Sequence, residues 1–146
     1  MNSISLESAN MIAGKVLQKA RELKFAPMTV VVLDAGGQMK VLQREDNSSL
    51  LRPDIAMGKA WGVLGMGLGG RELARRAEHN PMFFTALNAM SGGRVVPVAG
   101  GVLIKNRDGL VIGSVGISGD NSDNDEMCAL HAIEAAGLIA DTGRKD

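Results

Sequence analysis

An α+β domain, in which helices pack on a mainly antiparallel sheet, is the fold class this chain predicts, and three observations predict it. Apolar residues recur at spacings of three and four in the first twenty-odd residues, which is the period of an amphipathic helix. Two pairs of short β-branched runs are each joined by a tight, glycine-containing turn, too short for a parallel crossover. A further helical pattern closes the chain after an acidic stretch, so strands and helices come in blocks rather than in strict alternation.

Leu6, Ala9, Ile12, Ala13, Val16, Leu17, Ala20 and Leu23 form the first helical stripe, with Ser5 available as N-cap and Glu7 in the first turn. Pro27 ends it. Met28 to Leu33 is a strand, Asp34-Ala35-Gly36-Gly37 a turn, and Gln38 to Arg44 the returning strand. After the polar loop Glu45 to Ser49, a helix started by Pro53 or Asp54 runs to Gly65, and a shorter one covers Glu72 to Glu78. Asn80-Pro81 punctuates the chain, and Met82 to Met90 is a third helical piece. Ser91-Gly92-Gly93 breaks that piece, and Val95 to Val98 has the character of a short edge strand carrying Pro97. Val102-Leu103-Ile104, the turn Asn106-Arg107-Asp108-Gly109 and Leu110 to Ile117 make a second hairpin, and Asp123 to Ala140 the last helix.

With 146 residues, 45% of them hydrophobic, the chain has the size of one domain, 1-146, with a core of its own. Sixteen basic and 16 acidic residues give a net charge of +0, so the basic footprint that a phosphate backbone requires is missing. Aromatic residues are only 3%, Trp61 and three Phe without Tyr, which removes the stacking platforms of single-strand binders. No nucleic acid is expected as a partner. Met1 to Glu7 lacks a basic segment followed by an apolar one, and no stretch approaches membrane-spanning length. A cytoplasmic protein with no membrane partner is therefore expected, and the lone Cys128 agrees with a reducing compartment.

The corner Gly116-Ile117-Ser118-Gly119 places a hydroxyl and bare backbone where a strand meets a helix, a frequent site for a pocket. Gly65-Met66-Gly67-Leu68-Gly69-Gly70 satisfies G-x-G-x-x-G, but it follows a helix and lacks the acidic residue a dinucleotide site carries some 20 positions on. A closely packed interhelical turn accounts for it better. Asp120, Asp123, Asp125 and Glu126 lack the glycine and glutamate positions of a calcium loop. They fit the start of the last helix, capped by Ser122 or Asp123, and leave Asp125 able to reach a ligand from the first turn. Cys128 and His131 lie three apart on that helix and are soft or borderline ligands, yet no second pair completes a zinc site. One axial imidazole for a heme needs only His79 or His131, so these are the metal candidates. Arg44, Asp46, Arg52 and Lys59 are a mixed-charge neighbourhood in which Arg44 and Lys59 serve either a carboxylate-bearing ligand or a surface ion-pair set.

Val31-Val32-Leu33-Asp34-Ala35-Gly36-Gly37, Arg44-Glu45-Asp46, Lys59-Ala60, Gly100-Gly101-Val102, and Gly109 through Gly119 followed by Asp125-Glu126 carry a resemblance over nearly the whole chain. In these motifs the chain resembles the GlcG/HbpS family of small bacterial heme-binding or heme-associated proteins, itself similar to the carboxy-terminal domain of the PduO cobalamin-related proteins. The resemblance implies a profilin-like fold: a five-stranded antiparallel sheet with helices on its faces, assembling as dimers or higher homo-oligomers. It also implies a small-molecule ligand, heme or a related tetrapyrrole. Leu103 stands where many members have proline, and the family's heme ligands have no residue-by-residue match in His79 or His131.

Two functions are expected. In the first, a homo-oligomer binds heme or a similar planar, carboxylated cofactor, with Gly100, Gly101, Ser118 and Gly119 as a wall, Arg44 and Lys59 neutralising carboxylates and Asp125 orienting a polar group. In the second, an enzyme acts on a small organic acid as an isomerase, lyase or hydrolase. Asp125 or Glu126 is then the general base, Arg44 the carboxylate clamp, and Ser118 a donor to a developing oxyanion.

Overall fold

A computed structural model describes residues 2–145. Helix α1 (Leu6–Glu22) is followed by β1 (Thr29–Asp34), β2 (Met39–Arg44), α2 (Arg52–Met66), α3 (Gly70–His79) and α4 (Pro81–Met90). Strands β3 (Gly101–Lys105) and β4 (Val111–Ser118), helix α5 (Ser122–Ala135) and strand β5 (Ile139–Asp141) complete the order. The five strands form one sheet in the order β2-β1-β4-β3-β5, and every neighbouring pair is antiparallel.

The α+β fold with a five-stranded antiparallel sheet is thus present, and its helices cover both faces. Val30 and Val32 of β1, Val102 and Ile104 of β3, and Val115 and Ile117 of β4 point to one face. There they join Ile12, Ala13 and Val16 of α1 and Cys128, Ala129 and Ile133 of α5. Val31 and Leu33 point to the other face and meet Ala56 and Ala60 of α2, while Leu103 meets Val63, Leu73 and Phe84. Burial on both sides explains why β1 is a continuous apolar run instead of an alternating one.

Helix α2 lies unusually close to the sheet. A Cβ on Gly116 would stand 2.0 Å from the Ala56 carbonyl oxygen, and the Ser114 hydroxyl donates to the Ala60 carbonyl at 2.8 Å. Only a residue without a side chain lets the two backbones meet there.

Three local expectations are corrected. Val95 to Val98 is not an edge strand: Val96 N–H donates to the Gly58 carbonyl of α2 at 3.2 Å, and the segment packs on that helix. The last helix does not reach Ala140, because Gly137 turns left-handed (φ 78°) and Leu138 N–H returns to the Ile133 carbonyl at 3.1 Å, a helix-ending Schellman arrangement that releases β5. Its N-cap is Asn121, whose side chain accepts from Asn124 N–H at 2.9 Å, in place of Ser122 or Asp123. Ser5 caps α1 as expected, accepting from Ser8 N–H at 3.1 Å. Residues 67–69 form the turn between α2 and α3, with Gly67 as the left-handed C-cap of α2 and Gly69 as the N-cap of α3, while Gly65 and Gly70 lie in the helices. Among the described residues no helix is long and apolar enough to cross a membrane.

Candidate functional site

The corner foreseen at the end of β4 comes together around Lys59. From α2, on one face of the sheet, this lysine passes the glycines that open β3 and donates to the Ile117 carbonyl at 2.8 Å and to Asp125 Oδ2 of α5 at 3.1 Å. Asp125 Oδ1 accepts from Asp120 N–H at 3.0 Å. Gly100 has φ 104°, and a Cβ on it would lie 2.8 Å from Lys59 Nζ. A Cβ on Gly101 would lie 2.5 Å from the Lys59 carbonyl oxygen, and one on Gly119 equally close, 2.5 Å, to the Pro27 carbonyl oxygen. Ser118 Oγ accepts from Arg52 Nη1 at 3.1 Å. Burial pushes the Lys59 ammonium below its usual range although Asp125 opposes the shift, and pushes the Asp125 carboxyl up although Lys59 and the Asp120 N–H oppose it. In the single chain this corner is a closed, fully paired junction between the two helical layers.

The remaining candidates lie around or away from it. Arg44 shares its register position with Thr29, which in turn faces Ser118, so it stands two strands away; it donates to the Ser48 carbonyl at 2.9 Å and borders a polar cleft with Arg21, Glu45 and Asp46. Glu126 receives a two-point contact from Arg71, 3.0 Å at each oxygen, and Arg71 also donates to Asp123 at 2.8 Å. Cys128 points into the core, where burial raises its thiol to about 11, whereas His131 on the same helix is exposed. Among the described residues no cluster of three or more histidine, cysteine or carboxylate side chains is arranged to hold a metal ion.

His79 has a different setting. At the last position of α3, its Nδ1 lies 2.8 Å from the Arg75 carbonyl oxygen. A carbonyl only accepts, so Nδ1 carries the hydrogen and the neutral ring keeps its lone pair on Nε2, the arrangement a metal-binding imidazole needs. The ring borders a cleft of about 340 Å³ with Met66, Arg75, Arg76, Asn80, Phe83 and Phe84. Phe83 and Phe84 meet edge to face with centroids 5.5 Å apart. Glu72 holds both arginines at the rim: Arg75 through two contacts, one of them 2.9 Å, and Arg76 Nε at 2.9 Å. These guanidinium hydrogen bonds hold the Glu72 carboxyl down at about 2. Two guanidiniums against one carboxylate leave the rim with surplus positive charge. A wider groove of about 980 Å³ along another flank of α3 shares Arg75 with this cleft but contains no imidazole.

The sequence reading missed this cleft except for His79. The available signal was local: two adjacent arginines three and four residues before a histidine, then Pro81 and a Phe-Phe pair opening an uncharged helix.

Residues 4–134 match the family described as haem degrading protein HbpS-like. The chain belongs to the HbpS-like family. Among curated relatives of this HbpS-like chain, the corrinoid adenosyltransferase PduO of Citrobacter freundii is 29% identical over 136 residues, 93% of this chain but 40% of the relative. The chain therefore spans about two-fifths of that protein. An uncharacterized 15.0 kDa protein from the dhaT-dhaS intergenic region of Citrobacter freundii is 30% identical over 133 residues, covering 90% of this chain and 91% of the relative. Among solved structures, a PduOC:heme complex superposes with a TM-score of 0.84 at 28% identity, covering 93% of this chain and 96% of that one.

Proposed function

We propose that this HbpS-like chain binds heme or a related planar, carboxylated tetrapyrrole, working as a homo-oligomer, and that the His79 cleft is where it does so. One observation carries the reading: His79 Nδ1 lies 2.8 Å from the Arg75 carbonyl, which leaves Nε2 as the ring's free nitrogen, and the ring borders a cleft that Phe83 and Phe84 also line. The residues fit the group. Met66, Phe83 and Phe84 supply the apolar surface a macrocycle needs, and Arg75 and Arg76 supply cations for its carboxylates. A volume of about 340 Å³ falls within the small-ligand range of roughly 300–1,000 Å³. The heme complex of a relative of the same fold agrees with this ligand class.

When bound, heme supplies a redox-active iron with a strong visible absorption. His79 would hold the iron through Nε2, with Glu72 keeping the two guanidiniums at the rim and the phenylalanines limiting water at the macrocycle. Lys59, Gly100, Gly101, Ser118, Gly119 and Asp125 act as the framework that joins α2 to β4 and α5, and Arg44 stays outside the cleft.

Titrating the purified chain with hemin tests the reading. A saturable Soret band is expected, retained in His131→Ala and lost or strongly shifted in His79→Ala. The same band in His79→Ala as in the parent chain overturns the cleft assignment, and no saturable band in the parent overturns the function.

A further inference from the structure

Most arginines of this chain face carboxylates. Arg21, Arg71, Arg75, Arg76 and Arg144 each reach one, and Arg94 lies over the Trp61 ring, 4.0 Å from its centroid. Arg44 and Arg52 are held differently, because every hydrogen-bond partner of their side chains among the described residues is neutral. Arg52 Nε donates to Ser49 Oγ at 3.2 Å and its Nη1 to Ser118 Oγ at 3.1 Å, while Arg44 Nη1 donates to the Ser48 carbonyl at 2.9 Å. A guanidinium has further N–H donors to offer. Arg52 keeps Nη2, and Arg44 keeps Nη2 and Nε, without a protein partner among the described residues.

The anchors are firm. Thr29 and its register partners Ser118 and Arg44 lie in one row across β4, β1 and β2, on the sheet face that packs against α2. Thr29, Ser48 and Ser118 are buried, and Thr29 Oγ1 lies 2.8 Å from Ser48 Oγ, which ties the loop after β2 to the sheet. Residues 48 and 49 are consecutive, so the two guanidiniums hang from one short piece of backbone. The neighbouring carboxylates are engaged elsewhere: Asp120 accepts from Ala26 N–H, Asn121 N–H and Asn124 Nδ2, and Glu45 from Met28 N–H and Arg21. Asp46, which borders the same polar cleft as Arg44, makes no ion pair among the described residues. Burial lowers the Lys59 ammonium, and the Arg52 charge adds to that shift. An anion seated on Arg52 offsets this repulsion.

We infer that Arg44 and Arg52 form a second binding site, separate from the His79 cleft, for a small dicarboxylic acid. Each planar fork matches the two oxygens of one carboxylate, and neutral anchors hold both forks in place without discharging them. A dicarboxylate satisfies both cations at once, whereas a monocarboxylate leaves one bare.

Isothermal titration calorimetry of the full chain with malonate, succinate and glutarate, and with acetate and inorganic phosphate alongside, tests this. Saturable binding of at least one diacid is expected, about tenfold or more tighter than acetate or phosphate. Arg52→Gln and Arg44→Gln should each weaken it about tenfold, the loss of one charge-assisted contact, with circular dichroism unchanged. Arg52→Lys keeps the charge and loses the fork; it serves if Arg52→Gln does not fold, and should also bind more weakly than the parent chain. Arg107→Gln, which removes an exposed charge from the turn between β3 and β4, and His79→Ala should both bind the diacid as the parent chain does. No saturable binding of any diacid, phosphate bound as tightly as the best diacid, parent affinity in the folded Arg52 variant, or an equal loss in Arg107→Gln overturns the inference. The hemin titration of Arg52→Gln should match that of the parent chain, so this site and the His79 cleft stand or fall separately.

Discussion

Lys59 Nζ lies 3.1 Å from Asp125 Oδ2, and the two side chains are only 3% and 1% exposed. The pair spans the sheet from α2 to α5, and each partner makes a further hydrogen bond, Lys59 to the Ile117 carbonyl and Asp125 from the Asp120 N–H.

Removing one partner leaves a buried charge without compensation, at a cost of about 3–5 kcal/mol. Asp125→Asn and Lys59→Met should each lower the urea midpoint accordingly, with an unchanged slope. The double variant Lys59→Met, Asp125→Leu should recover most of the loss, because an apolar pair of similar volume carries no desolvation penalty. A double variant as unstable as the sum of the singles would show that the pair acts independently at its two ends.

The sheet and helices were legible because their signals are local. The stripe of α1, the two turns at Gly37 and Gly109, and the Gly67 break each depend on neighbours in sequence. Strand β5 was not legible as a strand: three residues are too few to show a period, and the Leu138-Ile139-Ala140 run continues the helix pattern unless Gly137 is taken as its C-terminal cap. The residues of the corner were identifiable as a group, yet their relation was not, because Lys59 and Asp125 are 66 positions apart and nothing local says that a lysine is buried. The His79 cleft depends on α2, α3 and α4 converging, which is a tertiary fact.

Gly116 and Gly14 make a matched test of what glycine does in each place. At Gly116 an added methyl meets the Ala56 carbonyl oxygen at 2.0 Å, so helix α2 must shift off β4. Gly116→Ala should cost at least the roughly 1–3 kcal/mol typical of overpacking. Gly14 lies exposed inside α1 with nothing within 4 Å of an added Cβ. Gly14→Ala should stabilise by about 0.5–1 kcal/mol through helix propensity. Thermal or urea unfolding reads both, and equal signs would contradict the assignment.

Glu72 sets an acid limb on stability. Its folded carboxyl stays ionised down to about 2, against 4.5 when the chain is unfolded. Below 4.5 the unfolded chain takes up a proton that the folded chain refuses, so protons favour unfolding. The contribution is full above 4.5 and disappears as the pH falls toward 2. Glu72→Gln should therefore flatten the fall of stability with pH in that window while changing its slope little near neutrality. An unaltered acid slope would mean that Arg75 and Arg76 do not hold this carboxylate in solution.

Arg76 separates carboxylate recognition from iron ligation. It borders the same cleft as His79 and is held there by Glu72 at 2.9 Å, but its guanidinium carries no lone pair for iron. Arg76→Ala should weaken hemin binding about tenfold, equivalent to about 1.4 kcal/mol, by deleting one charge-assisted contact, while the Soret position of the saturated complex stays put. Heme dimethyl ester has no carboxylates to offer, so its affinity should be insensitive to the same change. Equal losses for hemin and for the ester would place Arg76 in the packing of the cleft instead, through its apolar stem.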